Sequence, residues 1–138
     1  MAQNNGWIAV DLDGTCAKYD GWKGPTHVGE PVPSMVARMK QWMDEGIEVR
    51  IFTARVYPIN QCINPDTILT VTESEDERMN TAIAAVKAIQ QWCKLHLGKV
   101  IPITNVKDYS MTTLFDDRAI QVVMNTGALV GGVPKKGH

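Results

Sequence analysis

The sequence predicts a single α/β domain built on a parallel sheet. Three observations carry this reading. Short apolar runs alternate with longer segments of helical periodicity, the pattern of strands linked by right-handed crossovers. The first run, Trp7-Ile8-Ala9-Val10, is apolar at successive residues, as a strand buried on both faces would be. It then stops at Asp11-Leu12-Asp13-Gly14-Thr15, and ligands bind at the carboxyl ends of strands in open α/β sheets.

The elements follow in order. Residues 7–13 form the first strand. Residues 14–33 form a loop rich in Gly and Pro that holds Tyr19, Trp22, Lys23 and His27. Pro33 and Ser34 open a helix with an apolar stripe of Met35, Val36, Met39, Trp42 and Met43, and Gly46 ends it. The second strand covers 47–53. A long loop, residues 55–72, comes next, and a loop of that length points to function or disorder. Ser74-Glu75-Asp76-Glu77 is a capping-box start for the longest helix, about 75–97, whose stripe is Met79, Ala82, Ile83, Val86, Ile89, Cys93 and Leu97. Residues 100–103 form a third strand, placed at an edge by Pro102. Leu114-Phe115 leads the fourth, and Ile120-Gln121-Val122-Val123-Met124 makes a fifth. Residues 131–138 read as a flexible tail of the same domain.

Composition narrows the function. With 138 residues the chain has room for one core, and 44% apolar with 21% charged residues is ordinary for a soluble globular protein. A net charge of −1 gives no electrostatic support for nucleic acid or membrane binding, although it leaves nucleic acid open. No apolar stretch approaches the roughly 20 residues that span a bilayer, and residues 1–5 carry no signal-peptide pattern. Cys16, Cys62 and Cys93 are odd in number, so a reduced, cytoplasmic setting is expected. Cys16 reads as a neutral filler of the first turn, and the Cys93–His96 spacing lacks the second pair that a zinc site needs.

The chemistry lies in the strand ends. Asp11 and Asp13 are like charges two residues apart, and a divalent cation would offset their repulsion. The second strand ends at Thr53-Ala54-Arg55. Lys107 follows in a loop-like stretch, and the fourth strand ends at Asp116-Asp117-Arg118. The order Asp-x-Asp-Gly-Thr, Thr, Lys, Asp-Asp resembles that of the haloacid dehalogenase-like (HAD) superfamily of phosphotransferases, and it extends from position 8 to position 117. Receiver domains use similar residues but place the acidic pair first. No Gly-x-x-x-x-Gly-Lys-Ser/Thr phosphate loop is present.

The resemblance implies a three-layer Rossmann-like fold with strand order 3-2-1-4-5. It implies that Asp11 is the nucleophile, forming an aspartyl-phosphate, and that Asp13 is the acid and base. Mg2+ would be held by Asp11, the Asp13 carbonyl and the Asp116–Asp117 pair, with the direct ligand of that pair left open. Thr53 would donate to the phosphate, and Lys107 would neutralise the transferring group. Gly14 would let backbone amides approach the phosphate, with Ala54 and Arg55 beside it on the substrate. Arg55 and Arg118 also fit plain surface ion pairs. Residues 16–33 and 55–73 are too short for a folded cap, so the expectation is a small capless phosphomonoester hydrolase similar to bacterial and phage HAD-like proteins. Its open site would take a bulky phosphorylated substrate or be covered by a second copy. The alternatives are a polynucleotide or nucleotide phosphatase, given the likeness of Asp-Asp-Arg to the phosphatase part of polynucleotide kinase-phosphatases, and a non-catalytic HAD-like binding protein.

Overall fold

The computed structural model describes residues 6–70 and 76–131. The elements are β1 (Trp7–Asp11), α1 (Pro33–Asp44), β2 (Glu48–Phe52), α2 (Glu77–Leu97), β3 (Ile103–Thr104) and β4 (Met111–Phe115). The result is a mixed α/β fold with a four-stranded sheet in the order β3-β2-β1-β4. All three strand pairings are parallel. Asp11 lies opposite Phe52, and Val10 opposite Phe115. The carboxyl ends of β2, β1 and β4 therefore stand side by side.

Local sequence explains the helix ends. Pro33 occupies the first turn of α1, where a missing amide loses nothing. The helix ends where Gly46 adopts φ +81°. Gly46 N donates to Met43 O at 3.1 Å and Ile47 N to Trp42 O at 2.9 Å, the paired bonds of a Schellman motif. The N-cap of α2 is Asp76, whose side chain accepts from Met79 N. The helix thus starts two residues later than the capping-box reading. Ser74 and Glu75 of that motif lie outside the described residues, as does most of the predicted flexible tail. Gly98, at φ +89°, closes α2.

One core joins both helices to one face of the sheet. Val10, Val49, Ile51 and Ile103 pack with Val36 and Met39 of α1 and with Ile83, Val86 and Ile89 of α2. Strand alternation turns Trp7 and Ala9 to the other face. There the Arg50 guanidinium sits 4.3 Å from the centre of the Trp7 ring, and Trp7 Nε1 donates to Asp108. The helical layer expected on that face is not formed among the described residues, because residues 105–110 link β3 to β4 without a helix.

Two further expectations change. The run 120–124 has a strand's composition but does not join the sheet. The Asn125-Thr126-Gly127 turn, with Asn125 at φ +68° and Gly127 at φ +79°, returns the chain onto itself. Val123 N then bonds Ala128 O, and Val130 N bonds Gln121 O. Val122, Met124 and Leu129 stay exposed on this small hairpin. The long loop after β2 is also not free. It begins with a 3-10 turn, Ala54–Val56, and buries Ile59 and Ile63. Ile63 exchanges two backbone bonds with Ile103, at 2.8 and 2.9 Å, and so pairs with the outer side of β3. Among the described residues no helix is long and apolar enough to cross a membrane.

Candidate functional site

The strand ends assemble an acidic cluster. Carboxylate oxygens of Asp11, Asp116 and Asp117 lie within 4.8 Å of one another. Asp11 ends β1, and Asp116 and Asp117 directly follow β4. Thr15 ties the two together. Its hydroxyl lies 3.3 Å from Asp11 Oδ2 and 3.2 Å from Asp117 Oδ1, and it accepts from Asp117 N at 3.0 Å. Burial raises the Asp11 pKa most. The negative charge of Asp116 and the hydrogen bond and charge of Asp117 raise it further, against a small opposing pull from Thr15. The Asp11 carboxyl is pushed up to about 7. A metal-free site therefore holds Asp11 partly protonated at neutral pH.

Gly14 also has a direct bearing on this cluster. Its N–H is already bonded to Ala17 O at 2.8 Å. What matters is the space at its α-carbon. A Cβ there would lie 2.5 Å from Asp117 Oδ2, and the backbone sits at φ +89°. Gly14→Ala is therefore expected to lose about 1–2 kcal/mol from the backbone alone and to displace Asp117. Melting curves with and without Mg2+ check both effects. An unaltered Mg2+ response in Gly14→Ala would separate this glycine from the cluster.

Asp13 faces a different partner. Arg55 grips it through both oxygens, with Nε to Oδ2 at 2.7 Å and Nη2 to Oδ1 at 2.8 Å. The Arg55 side chain is only 5% exposed, so this is a built-in ion pair and not a surface one. Its third nitrogen, Nη1, donates to the carbonyls of His27 at 2.7 Å, Pro25 at 3.2 Å and Gly24 at 3.4 Å. The loop 16–33 is fastened elsewhere too. Lys18 N bonds Glu30 O, Val32 N bonds Cys16 O, and Trp92 Nε1 of α2 donates to Gly29 O at 2.9 Å.

Asp11 of the cluster and the Asp13–Arg55 pair line a cavity of about 760 Å3. Thr53, Ala54 and Arg118 line it with them, and Tyr19 and Trp22 line it from the loop 16–33. Thr53 is buried, and its hydroxyl accepts from Arg55 N at 3.1 Å, which leaves its own proton to donate. Lys107 is exposed and lies outside this lining. Its neighbour Asp108 is bonded to Trp7, at the far end of β1, so the chain is already descending away from the carboxylates. Among the described residues, the long loop after β2 contributes its first residues, Ala54 and Arg55, to the cavity.

Cys16 is fully buried, and burial pushes its thiol far above the usual range. Cys93 is also buried, its thiol pushed up to about 12. Both are packed and inert. Thr15 and the structural duty of Arg55 escaped the sequence reading. Thr15 stands inside the Asp-x-Asp-Gly-Thr run, where its spacing was a usable signal. Set against known proteins, the chain matches no family model, no curated protein and no solved structure.

Proposed function

We propose that the chain is a Mg2+-dependent phosphomonoester hydrolase of the HAD type, working through an aspartyl-phosphate on Asp11. The grouping of Asp11, Asp116 and Asp117 at the carboxyl edge of a parallel sheet, beside Thr53 and a guanidinium, carries this reading. The donor set is all oxygen and strongly anionic, which suits a hard divalent cation. Asp11, Asp116, Asp117 and the Asp13 carbonyl would hold it. Bound there, Mg2+ supplies charge neutralisation for Asp11 and for a phosphate oxygen.

The protein's own groups divide the remaining work. An Asp11 carboxylate oxygen attacks phosphorus while the bond from phosphorus to the ester oxygen breaks. Asp13 gives its proton to the leaving oxygen. Water then attacks the phosphorus of the aspartyl-phosphate, Asp13 takes its proton, and phosphate leaves with Asp11 restored. Thr53 donates its hydroxyl proton to a phosphate oxygen. Arg118, which lines the cavity, takes the charge-neutralising place expected of Lys107.

Phosphate release from an aryl phosphate, with and without Mg2+, tests the activity. The metal is tested by thermal shift. Wild type should gain stability with Mg2+, about 2.7 kcal/mol at a hundredfold excess over Kd. Asp116→Ala and Asp117→Ala should each lose most of that gain, and wild-type shifts in both would move the metal elsewhere.

One observation favours a binding-only reading. Both Asp13 oxygens are engaged by Arg55, and an acid and base must free one of them. A full Mg2+ shift with no turnover of any phosphomonoester would select that reading.

A further inference from the structure

We propose that the substrate carries a flat aromatic ring on its leaving group, a nucleoside monophosphate being the form that fits best. This inference rests on the phosphatase reading and adds the identity of the leaving group. The cavity of about 760 Å3 is far larger than one phosphate and its cation require. It falls in the range of pockets that enclose a whole small ligand. The groups near the carboxylates are used up on phosphate, metal and the Asp13–Arg55 pair. The cavity wall from the loop 16–33 is different in kind. It presents Tyr19, 49% exposed, and Trp22, 60% exposed.

Large aromatics left open on a fastened loop need a reason. Arg55 holds the Trp22 ring, with its guanidinium carbon 4.9 Å from the ring centre. The same Arg55 is fixed to Asp13 and to three loop carbonyls. Trp22 is thus a held ring with an open surface, lining the same cavity as the nucleophile. Bases stack on such surfaces without regard to sequence. The net charge of −1 suits one nucleotide better than a strand, whose many phosphates call for a basic surface. Other flat phosphomonoesters, phosphotyrosine among them, share the ring chemistry.

The test compares kcat/KM for adenosine and guanosine monophosphates, phosphotyrosine and glycerol phosphate in wild type, Trp22→Ala, Trp22→Phe and Tyr19→Ala. Binding of adenosine monophosphate to the Asp11→Asn variant, with and without Trp22→Ala, is measured by calorimetry. Ring-bearing substrates should exceed glycerol phosphate by about tenfold or more. Trp22→Ala should remove most of that ratio, and Trp22→Phe should restore part of it. An advantage for the nucleotides over phosphotyrosine supports the nucleotide form, and the reverse ranking overturns that form while keeping the ring. Hydrolysis of glycerol phosphate at the rate of ring substrates, with a ratio unmoved by Trp22→Ala, overturns the inference and leaves the phosphatase standing. No turnover of any substrate overturns the phosphatase reading. In that case Trp22-dependent nucleotide binding still supports the ring site, and its absence overturns the ring site as well.

Discussion

Asp11→Asn is expected to lower phosphate release by about 10^4-fold or more, because an amide is no substitute for the attacking carboxylate. The same change should raise stability in metal-free buffer at neutral to alkaline pH. The Asp11 carboxyl holds its proton up to about 7 in the folded chain, against an ordinary value of 3.8. Between those values the unfolded chain releases a proton that the folded chain keeps. Its contribution to stability is therefore complete below about pH 4 and is lost as pH rises through 7. The shift alone corresponds to roughly 4 kcal/mol, and solvent around a partly exposed group reduces this to about 1–2 kcal/mol. Melting temperature should rise by about 3–6 °C at pH 8. Near pH 4 wild type and variant should melt together. Added Mg2+ should reverse the order at pH 8 by stabilising wild type alone. Retained turnover in the purified variant would remove Asp11 from its role. A variant that melts below wild type at pH 8 without metal would show that the carboxylates do not repel.

The second large effect belongs to Arg55. Arg55→Ala leaves Asp13 a half-buried charge with no partner and strips the donor from three loop carbonyls. Breaking a pair of this kind destabilises by about 3 kcal/mol, which urea titration would measure. Arg55→Lys should recover little, since an ammonium cannot grip both oxygens and reach the loop together. Asp13 and the loop both lose their anchor, so activity on glycerol phosphate and on ring-bearing substrates should fall together. A stable Arg55→Ala protein with selective loss on large substrates would show instead that Arg55 acts on the leaving group alone.

These two residues show what a sequence makes legible. Asp11 could be read because a buried strand that stops at two carboxylates is locally odd. Asp116 could be read the same way, at the end of Leu114-Phe115. The pairing of Asp13 with Arg55 could not, since 42 residues separate them and either charge alone suits a surface. The first strand and both helices were legible from periodicity and from Pro33 and Gly46. The fifth strand was misread because composition does not name a partner, and the Asn-Thr-Gly turn supplied a nearer one. Ile59 and Ile63 were assigned to an open loop for lack of periodicity, although their burial seals the edge of β3. Lys107 was placed by order alone, and the short link to β4 carries its neighbour to the opposite end of the sheet.

The loop from Cys16 to Val32 has one further consequence. Bonds to Arg55, to Trp92 and within its own base hold it in place before any ligand arrives. Its conformational freedom is surrendered once, when the chain folds, and not at each binding event. On the proposed function, no closing movement of this loop would then stand between encounter and capture. A ligand's entry would be set by diffusion and charge, and its residence time by the contacts it makes.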